Sequence, residues 1–205
     1  MALTELRCGL ACAAAACAAI AAAGCGGTSA PGASGPSPAV VTPCPSTAPA
    51  AASTVTDPAR LVLTAADLAA PAYTIDATAS GPAPGAHQYT AAFKGTDKSE
   101  YQAVTSRATI GSTAGEARAT QVAGAADIAG RPGAKTVAQA CDIGDGAVAY
   151  TMPPDSTSKL SQAVVLWNDG NVVFELRAGT SKEPGSTEVT DLLKLARTMD
   201  ARARG

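Results

Sequence analysis

Between Glu100 and Ile110 apolar and polar residues alternate, so that Val104, Ala108 and Ile110 share one face of an extended strand and Thr105, Arg107 and Thr109 the other. One face belongs to a core and the other to water. Ala72 to Ala79 predicts a second strand, and Thr136 to Cys141 and Gly146 to Met152 two more. The strongest pattern lies between Leu160 and Thr180, where two apolar-rich runs flank Asn168-Asp169-Gly170-Asn171. Asp-Gly suits a two-residue type I′ hairpin turn, whose central residues both take positive φ. With those two residues as the loop, Asn168 pairs with Asn171, Trp167 with Val172, Val165 with Phe174 and Ala163 with Leu176. The face through Trp167, Val165 and Ala163 is then uniformly apolar, and its reverse sets Gln162 opposite Arg177 and Val164 opposite Glu175.

Two stretches carry a helical period. Thr113-Ala114-Gly115-Glu116 has the spacing of a capping box. It opens a helix to about Ala129, with Ala119, Val122, Ala126 and Ala129 recurring on one side. Gly130-Arg131-Pro132-Gly133 ends it. After Pro184-Gly185, an amphipathic helix runs from about Ser186 to Arg202 with Val189, Leu192, Leu193, Ala196 and Met199 facing inward. Strands, a helix, more strands and a closing helix predict an α+β fold, an antiparallel sheet with two helices packed on one face.

The N-terminus departs from this patterning. Residues 8–25, CGLACAAAACAAIAAAGC, are uncharged, small and apolar, and follow a short start that carries Arg7. That is the layout of an export signal. Its end, Ala22-Ala23-Gly24-Cys25, resembles the lipobox of bacterial lipoproteins, with Ala22 where Leu is usual. The resemblance implies cleavage before Cys25, a thioether-linked diacylglycerol and an N-acyl chain, palmitate for example, on that cysteine. Two other readings stay open: Ala21-Ala22-Ala23 as an ordinary secretory cleavage site, or an uncleaved span near the lower length limit. Residues 26–56 carry no charge and consist mainly of Gly, Ala, Ser, Thr and Pro. Such a composition buries too little apolar surface to fold and makes a disordered tether. The chain thus divides into a signal peptide (1–24), a lipidated cysteine with its tether (25–56) and an extracytoplasmic domain (57–205). The expected location is the outer side of a cell membrane.

The domain of about 150 residues is long enough for a modest core. The formal net charge of the chain is −2, with both signs interspersed, so no basic stripe points to nucleic acid. Aromatic residues number seven, which leaves the core to Val, Leu, Ile and much Ala. Once the signal is removed, Cys25, Cys44 and Cys141 remain. Lipidation takes the first, and outside the cytoplasm Cys44 and Cys141 can form a disulfide that pins the tether to the domain. The alternative is a buried Cys141 and a free Cys44.

From Leu61-Val-Leu-Thr-Ala-Ala-Asp67-Leu through Asp142-Ile-Gly-Asp145 and Trp167-Asn-Asp-Gly-Asn-Val-Val-Phe174 to Leu192-Leu-Lys-Leu-Ala-Arg197, the order of elements is similar to small actinobacterial-type envelope lipoproteins, whose domains are related to sensor-like and PsbP-like modules. Such domains mostly have no assigned activity, so the resemblance supplies no catalytic residues. Direct inspection adds few. His87 is the only histidine, which excludes a His-rich zinc centre. His87 and Cys141 are the one nucleophile and base pair available, although a lone His among Gly, Pro and Ala is usually a surface loop residue. Asp142 and Asp145 can offer carboxylates to calcium, but the acidic loop ending in Glu is missing, and a strand-entry turn is the simpler account. No cofactor motif or phosphate loop occurs. The expectation is a binding or sensing module for a small apolar ligand or an envelope protein partner, held at the membrane by its lipid. The alternatives are an envelope enzyme of hydrolase type and a freely secreted protein.

Overall fold

The computed structural model describes residue 44 and residues 55–68, 72–96, 99–154 and 159–205. The signal peptide, Cys25 and all of the tether except Cys44 and its last two residues therefore lie outside the described residues. The elements are β1 (Tyr73–Ile75), β2 (Gly81–Pro82), β3 (Gln88–Gly95), β4 (Ala103–Ile110), α1 (Ala114–Ala129), β5 (Lys135–Ala140), β6 (Ala147–Met152), β7 (Ser161–Asp169), β8 (Val172–Thr180) and α2 (Ser186–Ala203). Two short 3-10 helices, Pro58–Arg60 and Ala65–Leu68, precede them. The eight strands form one antiparallel sheet in the order β1-β3-β4-β8-β7-β6-β5, with β2 on the outer side of β3. The α+β class expected from the patterning is what the chain adopts.

The β7–β8 hairpin forms where expected, in a register shifted by two residues. Asp169 pairs with Val172, Trp167 with Phe174, Val165 with Leu176 and Ala163 with Ala178, so the loop is Gly170-Asn171 and not Asp169-Gly170. Gly170 has φ +55 while Asn171 stays out of the positive region, as in a turn with glycine at the first central position. The shift sets Val164 against Arg177 and Leu166 against Glu175. Its cause is the cross-strand pair it creates: Trp167 and Phe174 stack with centroids 4.8 Å apart and planes 12° from parallel. Because a shift of two preserves side-chain parity, Trp167, Val165 and Ala163 still share the buried face.

The helices lie on opposite faces of the sheet, not on one. Val189, Leu192, Ala196 and Met199 of α2 close a core over Val104, Val165, Trp167, Phe174 and Leu176. The alternate residues Val164, Leu166 and Val173, with Tyr150 and Met152, form a second cluster that α1 covers through Ala117 and Ile128. The reverse of β6 and β7 is apolar enough to need a cover of its own. On α1 the stripe is also rotated from the expected one. Ala117, Gln121 and Ile128 are buried, whereas Val122 is 57 % exposed. Small residues decide this orientation: a Cβ on Gly124 would lie 3.1 Å from Leu166 Cδ2, so the helix approaches the sheet along its Ala and Gly side. Thr113 Oγ1 accepts from Glu116 N and Glu116 Oε2 from Ser112 N, fixing the start of the helix.

At the sheet's other end, the first strand is three residues long. Asp76 Oδ1 accepts from Thr78 N and Thr78 Oγ1, which turns the chain where an extended run to Ala79 was expected. Strand β3, unforeseen in the patterning, pairs along its length with β4 and buries Ala91 and Phe93. The segment before β1 lies beside α2. Leu61 and Leu63 are fully or nearly fully buried, and Leu63 N donates to the buried Ser106 Oγ. Arg202 holds this segment by donating to Asp67 Oδ1 and Oδ2 at 2.7 and 2.8 Å and to Val62 O.

The end of α2 carries a buried carboxylate. Asp200 is 5 % exposed, its Oδ2 lies 3.0 Å from Arg204 Nη2, and its Oδ1 has no hydrogen-bond partner among the described residues. Burial, reinforced by the neighbouring Asp169, raises its pKa against the opposing effects of the Gly144 N–H and Arg204.

Two predictions follow from this architecture. Gly170→Val places a β-branched residue in the left-handed region and is expected to cost about 1–2 kcal/mol. Thermal unfolding would read the loss, and an unchanged melting temperature would mean that the turn tolerates any residue. For Asp200, the native state keeps a proton that the unfolded chain releases near pH 4. Stability should therefore fall as pH rises from that point through the raised native pKa, and Asp200→Asn should flatten the fall. Denaturant melts between pH 4 and 7 would show it, and parallel profiles for the two proteins would refute it.

Candidate functional site

Helix α2 is amphipathic, and its buried stripe is flanked by two further apolar side chains, Leu193 on one side and Leu195 on the other, each half-buried. Each flank borders a groove on the same face of the sheet. The first, with a volume of about 360 Å³, lies between Leu195, Asp191 and Lys194 of α2, the 3-10 helix ending at Leu68, the start of β1 at Ala72 and Tyr73, and Ser99, Glu100 and Tyr101 before β4. The second, of about 390 Å³, lies between Val137 and Ala138 of the edge strand β5 and Gly185, Val189, Thr190 and Leu193 of α2.

The first groove combines an apolar floor with convergent polar groups, the usual make-up of a small-molecule site. Tyr73 and Tyr101 are nearly buried and joined: Tyr73 OH accepts from Tyr101 N at 3.2 Å, and Tyr101 OH donates to Glu188 O at 3.1 Å. Burial pushes the pKa of both phenols up, and for Tyr101 the charges of Glu100 and Asp191 add to it, so both remain neutral donors. Three carboxylates reach the rim. Asp67 is engaged by Arg202, and although burial raises its pKa, the hydrogen bonds from Arg202 and Thr64 outweigh that and leave it below the ordinary value. Asp191 pairs with Lys194. Glu100 has no ion-pair partner among the described residues; burial first, then Asp191 and Glu188, raise its pKa. The rim thus carries an excess of negative charge over an aromatic and aliphatic floor.

Neither tyrosine, nor Glu100, nor Leu195 was a candidate from sequence. The available signal was Leu195 itself, an apolar residue off the inward stripe of α2 and next to the charged pair Asp191 and Lys194. The residues that were candidates lie elsewhere. Cys44 and Cys141 are joined in a disulfide with Cα atoms 5.4 Å apart, inside the normal span of such bridges. In this state Cys141 offers no thiolate. His87 is exposed at the entry to β3, five strand positions from β5, a lateral separation of about 24 Å at ordinary strand spacing. The structure therefore does not bring His87 to Cys141. Asp142 accepts from Arg197 at 2.7 and 3.3 Å, and Asp145 from Asn168 Nδ2 at 2.6 Å. Among the described residues no three His, Cys, Asp or Glu side chains converge as a metal-holding group. No helix of those residues is long and apolar enough to cross a membrane.

The chain matches no protein-family model, no curated protein and no solved structure. Functional argument therefore rests on the residues themselves.

Proposed function

We propose that the protein is a lipid-anchored envelope lipoprotein whose domain binds a small, largely apolar ligand in the groove between Tyr73, Tyr101 and Leu195. The supporting observation for binding is that groove: an apolar floor of Leu68, Ala72, Tyr73, Tyr101 and Leu195 with a polar rim at its mouth. The supporting observation for the anchor is the run ending in Ala22-Ala23-Gly24-Cys25. Binding uses ordinary apolar surface, whereas catalysis needs a nucleophile, a base and an oxyanion donor in one place. The uncompensated charge at Glu100 favours ligands with a neutral or positive polar end over anionic ones.

Nile red, a neutral apolar dye, is a suitable probe. Its fluorescence should rise on titration with the protein and fall back with Ala72→Arg, which fills the groove from a half-buried position, while the melting temperature stays near that of the parent. Equal dye binding by the two proteins would overturn the assignment of the groove. The anchor is checked by mass spectrometry of the mature N-terminus, expected to show a diacylated and N-acylated Cys25. An unmodified N-terminus upstream of Cys25 would reject it.

A further inference from the structure

We infer that the groove between Tyr73, Tyr101 and Leu195 selects an organic cation, a ligand with an ammonium head, an oxygen acceptor beside it and an apolar tail, and that Glu100 sets this preference. The inference rests on the groove reading above and deepens it by naming the ligand class. The groove's volume of about 360 Å³ lies within the range of small-molecule sites.

The charges around the groove do not cancel. Asp67 is taken by Arg202, whose Nη2 donates to both of its carboxylate oxygens. Lys194, the one cation among the lining residues described, donates to Asp191 Oδ1 at 2.5 Å. Glu188 turns its carboxylate to Gly185 N, 2.9 Å away at the start of α2. That leaves Glu100, exposed at the mouth, whose carboxylate has no hydrogen-bond or ion-pair partner among the described residues. Asp191 and Glu188 repel it. A bound cation offsets that repulsion, and a bound anion adds to it.

The floor supplies a second polar group at the same corner. Tyr73 is 9 % exposed, and its oxygen accepts from Tyr101 N at 3.2 Å and faces the backbone N–H of Glu100. A phenol can also donate, and no acceptor for this proton is present among the described residues. A buried donor left in this way calls for an acceptor. Because Tyr73 meets the backbone of Glu100 itself, the donor and the anion can be met by one small head group. An amino acid ester is such a ligand, with a carbonyl next to its ammonium. Leu68, Ala72 and Leu195 then receive the apolar tail, and the two tyrosine rings in the wall favour a cation further.

Displacement of Nile red by three decyl esters of similar shape tests this. They are the glycine ester, a cation, the glycolate ester, which is neutral, and the malonate half-ester, an anion. At about pH 7, where most of the glycine amine is charged, that ester should displace the dye at about threefold to fivefold lower concentration than the glycolate ester, the worth of one exposed ion pair. The malonate half-ester should be the weakest, and added salt should narrow the gap. Glu100→Gln should bring the glycine and glycolate esters to equal potency, with a melting temperature near that of the parent. Equal potency in the parent, or an advantage that survives Glu100→Gln, would overturn the inference while leaving the groove in place. Absence of dye binding to the parent would instead remove the groove, and the inference with it.

Discussion

The stack of Trp167 on Phe174 is the contact on which the rest of the domain is arranged. In a chain with one tryptophan and two phenylalanines, this pair concentrates much of the aromatic surface at a single point, and both residues are fully buried. It sets the hairpin register, because any slip would separate the rings. It also determines the loop between β5 and β6. Gly144 has φ +53, and a Cβ there would stand 2.9 Å from Trp167 Cδ1 and 2.2 Å from Asn168 O. The loop passes so close to the indole that no side chain fits. Above the ring lies the end of α2, where the buried Asp200 is held by Arg204, which also donates to Asp169 next to the turn. One aromatic pair thus ties the turn, the loop and the last helix together.

A protein poor in aromatics must find burial elsewhere, and here it does so by using both faces of β6 and β7. Alanine and glycine let helix and sheet approach closely, so that area lost to small side chains is recovered as backbone proximity and dense packing. The cover is uneven. α1 covers β6, β7 and the adjoining part of β8, and β3 and β4 keep a polar outer face with Thr105, Arg107 and Thr109. On the opposite face, α2 and the segment from Leu61 to Leu68 lie side by side, joined by Arg202 and Asp67. The groove lined by Tyr73, Tyr101 and Leu195 is the space left between these two covers and the strands below.

Features set by local chemistry were legible in the sequence. The alternation in β4, the capping residues Thr113 and Glu116 and the inward stripe of α2 each depend on neighbours a few positions away. The turn misled for a physical reason: Asp169-Gly170 has a real preference for the turn, yet the pairing of Trp167 with Phe174, remote from the loop, is stronger. Strand β3 was hidden because Ala91 and Ala92 are too small to mark a face, and only Phe93 and Tyr89 carry the pattern. On α1 the alanines offered no contrast between sides, and the buried stripe was settled by how near Gly124 comes to Leu166. The groove was least legible of all, since Tyr73, Glu100, Tyr101 and Leu195 come from three separate parts of the chain and meet only through the fold.

The bridge between Cys44 and Cys141 has a mechanical side. The backbone enters the described domain at Val55, yet the covalent path from the N-terminus reaches the domain first at Cys141. A pull on the N-terminal chain would therefore act on the domain at the end of β5, beside the Gly144 to Gly146 loop. The stretch from Leu61 to Leu68, which forms one wall of the groove and is clamped by Arg202, lies off that load path. The point where the N-terminal chain is fastened and the wall of the groove thus belong to different parts of the fold.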